Sequence, residues 1–187
     1  MTLEETNFAL AAPGATLRPL RRSDAAFVVR LFNEPAFLDN IGDRGIRDEA
    51  GALAYLDAGP FRDYRERGFG MLAVELDDAE SSGPVGICGL VFRDTLEHPD
   101  LGFAFLSEAW GRGLATATSK AVLVHAAQRL HVETVLAITS EGNLASQRVL
   151  AKLGFRSEGP TRLGGDPEDS EVVLFRLDAP GRSGGSD

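Results

Sequence analysis

The sequence predicts an α/β fold: a mixed, mostly antiparallel, twisted sheet of six or seven strands with helices on both faces. Three observations predict it. Short apolar runs such as Val85 to Phe92 and Thr134 to Thr139 are bounded by Gly, Pro, Ser, Asp or Glu, the punctuation of strands. Leu114 to Leu130 contains no Gly or Pro and is rich in helix formers. That helix stands between two strand-like runs, Asp100 to Leu106 and Thr134 to Thr139. A β-α-β unit sets its two strands side by side and parallel.

The elements follow in order. Residues 1–15 lack clear periodicity and are expected to fray, with 1–14 an extension outside the domain. Thr16 to Leu20 reads as the first strand. Ser23 or Asp24 can cap a helix running to about Asn33, with Phe27, Val28 and Leu31 on its apolar side, and Glu34-Pro35 breaks it. A second helix is expected from Asp48 to about Asp57, with Ala52, Leu53 and Leu56 inward. Gly68 to Leu76 and Val85 to Phe92 read as strands joined by an acidic hairpin loop, 77–84. After the β-α-β unit, Ser140-Glu-Gly142 leads to a helix capped by Asn143, with Lys152 and Gly154 as its stop signals. Phe155 to Glu158 and Glu171 to Leu177 close the sheet. The Gly-, Pro- and acid-rich stretch 159–170 between them reads as a mobile loop, and 179–187 as a disordered tail.

Bulk properties bound the function. A chain of 187 residues, 43% hydrophobic, is most simply one domain with a sizeable core. Its apolar runs fall far short of the ~20 residues that span a bilayer, and no basic-then-apolar leader opens it. One cysteine forms no internal disulfide, which fits a reducing cytoplasm. Cys88 lies in an apolar strand as a small core residue. A net charge of −9 repels nucleic acid and attracts cationic amines. No metal-ligand spacing occurs, and His125 and His131 read as structural.

The chemistry starts at Trp110-Gly-Arg-Gly-Leu-Ala115, where the strand turns into the long helix. A glycine-bearing turn into a helix N-terminus presents unpaired N–H groups to phosphate oxygens. Three phosphate loops compete. The Gly-x-x-x-x-Gly-Lys-Ser/Thr string is absent. For Gly-x-Gly-x-x-Gly, Gly111 and Gly113 fit, but Thr116 stands at the third glycine. Glu133, at the spacing of that motif's acid, opens its strand rather than ending it. The third option is a Gln/Arg-x-x-Gly-x-Gly/Ala loop, which Gly113 and Ala115 match while Trp110 departs from it.

A second motif favours the third option: Asn143-Leu-Ala-Ser146-Gln-Arg-Val-Leu150-Ala-Lys152-Leu-Gly154-Phe155. With the Trp-Gly-Arg-Gly loop, with Leu17-Arg-Pro-Leu20 and Asp24-Ala25, and with Gly86 to Leu90, it resembles the GNAT acetyltransferase superfamily. The subgroup it resembles includes the ribosomal-protein alanine N-acetyltransferases. The resemblance covers residues 15–178, which it marks as the domain. It implies acetyl-coenzyme A as acetyl donor and no metal. It also implies a central pair of parallel strands that splay apart, the pantetheine arm filling the gap. The diphosphate is then expected on the N–H groups of Arg112, Gly113, Leu114, Ala115 and Thr116, and the pantetheine amides on the strand edge near Phe105, Leu106 and Ser107. Trp110 is expected to pack the loop against the sheet.

Acetyl transfer needs a neutral amine held against the thioester carbonyl, and a donor for the oxyanion. The backbone N–H of Gly102 or Phe103, near a bulge, is the expected donor. Candidate bases are Asp100 and Glu141, with Glu75 and His98 weaker choices. The family's general-acid tyrosine falls at Leu150 here, so Ser146 is the substitute that can hydrogen-bond the departing sulfur, and Asn143 binds the cofactor arm. Ala117 replaces the glutamate usual in relatives. The leading acceptor is a protein N-terminal α-amine, by resemblance. A small-molecule amine such as an aminoglycoside, polyamine or amino acid is the alternative, and a non-catalytic acyl-coenzyme A binding module is a reading of another class. A homodimer would agree with the subgroup.

Overall fold

A computed structural model describes residues 8–78, 83–163 and 171–180. In chain order the strands are β1 (Leu10–Ala12), β2 (Ala15–Pro19), β3 (Met71–Leu76), β4 (Pro84–Val91), β5 (Asp100–Phe105), β6 (Thr134–Thr139), β7 (Arg156–Arg162) and β8 (Glu171–Asp178). The helices are α1 (Ala25–Phe32), α2 (Pro35–Asn40), α3 (Glu49–Ala58), α4 (Pro60–Glu66), α5 (Leu114–Arg129) and α6 (Leu144–Lys152). The sheet order is β1-β2-β3-β4-β5-β6-β8-β7, antiparallel throughout except for the parallel pair β5–β6. The mixed, mostly antiparallel architecture is the expected one, with eight strands rather than six or seven.

Successive residues of a strand point to opposite faces, so six consecutive buried residues in β4, Val85 to Leu90, mean that both of its faces are covered. Helix α5 lies on one of them, where the Cys88 sulfur is 3.6 Å from the Ser119 hydroxyl. At Gly86, paired with Phe105, a Cβ would stand 2.3 Å from the Phe105 ring. Only glycine lets that ring lie across the strand.

Several elements differ from the sequence reading, each for a physical reason. Leu10–Ala12 lies inside the segment expected to fray. It forms a hairpin with β2 through Gly14, whose φ of 79° closes the turn. Pro35 ends α1 as expected, but it also starts α2, because proline's fixed φ suits a first helical turn. Pro60 starts α4 in the same way. Asp24 does not cap α1 with its side chain. A 3-10 turn, Arg22–Asp24, precedes the helix, and the Asp24 carboxylate instead accepts both terminal nitrogens of buried Arg18, at 2.8 and 2.9 Å. Strand β7 runs on to Arg162, into the stretch expected to be a loop. Residues 164–170 and 181–187, the rest of that loop and the tail, lie outside the described residues. Among the described residues no helix is long and apolar enough to cross a membrane.

Candidate functional site

Strands β5 and β6 start together and part. Their ladder holds one register pair, Asp100 with Leu136, where the Leu136 N–H donates to the Pro99 carbonyl at 2.9 Å. Helix α5 follows the far end of β5 and α6 follows the far end of β6, so both helix N-termini meet at the opening. Crevices at the carboxyl ends of diverging parallel strands are the usual ligand sites of α/β sheets. Here a cavity of about 510 Å³ occupies it.

The cavity has two unlike walls. Helices α1 and α2 contribute Leu31, Ala36, Phe37, Asn40 and the capping residue Ile41, while α6 contributes Asn143, Ala145, Ser146, Val149 and Lys152. Between them lie the edge of β5 at Phe103 to Phe105, the loop from Ala109 to Gly113, and the first turn of α5, Leu114 to Thr116. No carboxylate is among the described residues that line it.

The loop geometry follows from its glycines. Gly111 and Gly113 have φ of 76° and 75°, left-handed values that disfavour any residue with a Cβ. At Gly113, the residue before the helix, a Cβ would meet no atom within 4 Å. Backbone conformation, not crowding by the protein, calls for glycine there. The first intrahelical bond is Ala117 N–H to Gly113 O at 3.1 Å, so the N–H groups of Leu114, Ala115 and Thr116 have no partner inside the helix. No acidic residue stands in that first turn, and the positive end of the helix dipole is left for an external anion. The Arg112 side chain does not line the cavity. It reaches Asp78 at 2.7 Å on the surface.

The edge of β5 is free over a shorter span than the sequence suggested. Leu106 N–H donates to Val85 O at 2.9 Å. With a ladder period of two and a register unbroken from Phe105 to Asp100, Ala104 and Gly102 also bond to β4, while Phe103 and Phe105 turn their backbone groups to the opening. This corrects the Gly102 assignment, leaves Phe103, and removes the expected bulge from this strand. The Leu106 and Ser107 carbonyls accept from Ala109 and Trp110 N–H, at 3.0 and 3.2 Å, so these two residues are turn formers here. The Phe105 carbonyl accepts the Trp110 indole N–H at 3.0 Å. Trp110 is 56% exposed and forms part of the cavity wall, rather than packing against the sheet.

On the α6 wall, Asn143 Oδ1 accepts the Ser146 N–H at 3.1 Å, the helix cap expected from sequence. Both residues face the cavity. Leu150 is buried.

The carboxylates stand elsewhere. Asp100 is 2% exposed, at the closed end of the splay, and accepts from Arg93 Nε at 3.1 Å. Burial pushes its carboxyl above the usual range, and Arg93 partly opposes that. Glu141 is exposed on the turn before α6, outside the cavity lining, with its backbone carbonyl accepting from Gln147. Glu75 is held by Arg18 at 2.6 Å. His98 is not among the lining residues. The cavity thus brings together Phe103, Phe105, Gly113 to Thr116, Asn143 and Ser146, and it leaves Asp100, Glu141, Leu106, Ser107 and Arg112 outside. Sequence reasoning missed α2, whose only signal was a proline read as a stop. It also missed Lys152 as a wall residue, having read it as a helix terminator.

Comparisons with known proteins identify the family and match the fold. A family model described as an acetyltransferase (GNAT) domain matches residues 15–156. YkkB of Bacillus subtilis (strain 168), an uncharacterized protein, is 24% identical over 135 residues, covering 71% of this chain and 76% of its own. The fold matches that of an acetyltransferase from Agrobacterium tumefaciens str. C58, with TM-score 0.74, 21% identity, and 95% and 98% of the two chains covered. It also matches Mycobacterium smegmatis RimJ in complex with CoA-disulfide, with TM-score 0.74, 22% identity, and 92% and 86% covered.

Proposed function

The chain belongs to the GNAT acetyltransferase family, and on that premise we propose that it moves the acetyl group of acetyl-coenzyme A to the N-terminal α-amine of a peptide or protein. The observation that carries the acceptor class is the cavity wall without a carboxylate among its described residues. A described cavity wall with no acid offers no general base beside the amine and no counter-charge for a polycation. At pH 7.5 about a third of an α-amine with a pKa near 7.8 is already neutral, against roughly 0.1% of an alkyl amine near 10.4. That difference of several hundred-fold favours an acceptor that arrives largely deprotonated. The resemblance of the sequence motifs to the ribosomal-protein subgroup points the same way.

The roles follow from the lining. The diphosphate lies on the N–H groups of Leu114, Ala115 and Thr116, and the pantetheine amides pair with the edge of β5 at Phe103 and Phe105. The neutral amine attacks the thioester carbonyl, and the Phe103 N–H holds the oxyanion of the tetrahedral species. As that species collapses, the carbon–sulfur bond breaks and the thiolate leaves. The amide nitrogen gives up its extra proton to water, and Ser146 Oγ donates a hydrogen bond to the sulfur. Asn143 positions the cofactor arm while its Oδ1 caps α6. Asp100 and Glu141 have no direct part in this scheme.

A thiol-release assay over matched amines tests the function. Peptides with a free N-terminus are expected to release coenzyme A well above the rate with spermidine, an aminoglycoside, or the same peptides N-terminally blocked. Faster turnover with the polyamine or aminoglycoside refutes the acceptor class. Tight cofactor binding without turnover on any amine refutes catalysis.

A further inference from the structure

The chain holds one tryptophan, and it stands at the junction of the two backbone surfaces that face the cavity. One surface is the free edge of β5, and the other is the set of unpaired N–H groups opening α5. Between them run a short 3-10 turn, Ser107–Ala109, and a loop with left-handed glycines at 111 and 113. Apart from chain neighbours, no atom of the described residues lies within 4 Å of where a Cβ would be at either glycine, so none of them packs there to hold the loop in place. Among the described residues three side-chain bonds tie this span down, one of them the exposed Arg30–Glu108 pair on the 3-10 turn. Arg112 reaches Asp78 on the outer surface, where both partners are about half exposed and the pair contributes little. The Trp110 indole N–H reaches back five residues to the Phe105 carbonyl at 3.0 Å. That carbonyl belongs to the strand edge itself.

We propose that Trp110 is a positioning residue for the thioester cosubstrate. Its indole N–H fixes the spacing between the strand edge and the helix-start donors, and its exposed face forms the wall against which the cosubstrate lies. The proposal rests on the acetyl-coenzyme A reading above and adds a residue to it. A carbonyl oxygen has two lone pairs, so the indole bond leaves Phe105 able to accept one amide more. The ring therefore stays in place when the ligand enters. A ligand that must touch the strand edge and the helix start together binds best when their separation is already set, because it does not have to order the loop. The bond acts on cosubstrate binding and not on the bonds that change.

Trp110→Phe keeps an aromatic face and deletes the N–H. It is expected to raise KM for acetyl-coenzyme A, and the calorimetric Kd for coenzyme A, about five-fold, the worth of one neutral hydrogen bond. The kcat at saturating cosubstrate should stay within about two-fold of wild type. A purely structural role would instead lower the melting temperature and leave KM where it was. A second measurement uses the wild-type chain. Its only indole is exposed, so coenzyme A is expected to shift the emission to shorter wavelength, with the same midpoint as calorimetry. Calorimetric binding with unchanged emission, or an unaltered KM in Trp110→Phe, overturns the proposal. No calorimetric binding to wild type overturns the cosubstrate reading, and this inference with it.

Discussion

Replacing Gly113 separates what the loop does for folding from what it does for binding. Its φ of 75° is a left-handed conformation, and its Cβ position is empty. Gly113→Ala therefore adds conformational strain without a clash, about 1–2 kcal/mol. For a chain of this size each 1 kcal/mol lowers the melting temperature by roughly 2–4 °C. Gly113→Glu carries the same strain and adds a carboxylate at the mouth of the donor cluster. A unit charge ~5 Å from two diphosphate charges, at an effective dielectric constant of 40–80, opposes binding by about 2–3 kcal/mol. That is roughly a 30- to 160-fold loss of affinity. The two variants should thus melt alike, several degrees below wild type. In calorimetry with acetyl-coenzyme A, Gly113→Ala should bind within a few-fold of wild type, while Gly113→Glu binds at least 30-fold more weakly. Near-wild-type affinity in Gly113→Glu would refute the placement of the diphosphate. Equal losses in both variants would show that loop strain, not charge, governs binding.

Asn143→Ala removes the acceptor for the Ser146 N–H and should destabilise the protein by about 1 kcal/mol in a denaturant titration, whereas Asn143→Asp keeps the cap and, by its charge, weakens cosubstrate binding. Burial pushes the Cys88 thiol up to about 11, so at pH 8 a disulfide reagent should leave the native protein unmodified and modify one thiol per chain after denaturation. Rapid reaction of the native thiol would contradict the packing of β4 on α5. The Asp100 carboxyl, raised by burial against the pull of Arg93, binds its proton more tightly in the folded chain. Its contribution to stability is therefore full below about pH 4 and is lost as pH rises through the raised value. The stability of Asp100→Asn relative to wild type should accordingly increase from pH 4 to pH 7, measured by denaturant midpoints. A difference that does not change with pH would refute the shift.

Legibility followed the range of the interactions. Helix α5, strand β6 and the Asn143 cap were readable because each is encoded by neighbours in sequence: an unbroken run of helix formers, a short apolar run, an Asx residue before a helix. Helix α2 was not readable, because Pro35 carries the same local signal whether it ends one helix or starts the next. What decides is where Phe37 and Ile41 go: both go to the cavity wall, and Phe37 also into the core. Leu10–Ala12 escaped for a related reason. Three residues make no period, and their strand exists because β2 pairs with them. Arg18, Asp24 and Glu75 show the converse error. They read as motif, cap and candidate base, yet they form one ion cluster joining β2, the turn and β3, buried at Arg18 and Asp24 and half-buried at Glu75.

The site divides along the same line. Its backbone donors were legible because glycine spacing encodes φ, and φ encodes where N–H groups point. Its acid–base chemistry was not, because a carboxylate's use depends on which side of a strand it occupies and what lies against it. Asp100 illustrates this. It sits where β5 and β6 still pair, with Arg93 against it, while Phe103, three residues on, faces the cavity. Strand alternation and the point of divergence together decide between a buried ion pair and a reacting group. Only the second of these lies beyond the sequence, since it depends on contacts between elements far apart in the chain. The cavity combines backbone groups and an indole with apolar side chains and with the polar Asn40, Thr116, Asn143, Ser146 and Lys152, so the backbone part of its wall tolerates wide sequence change.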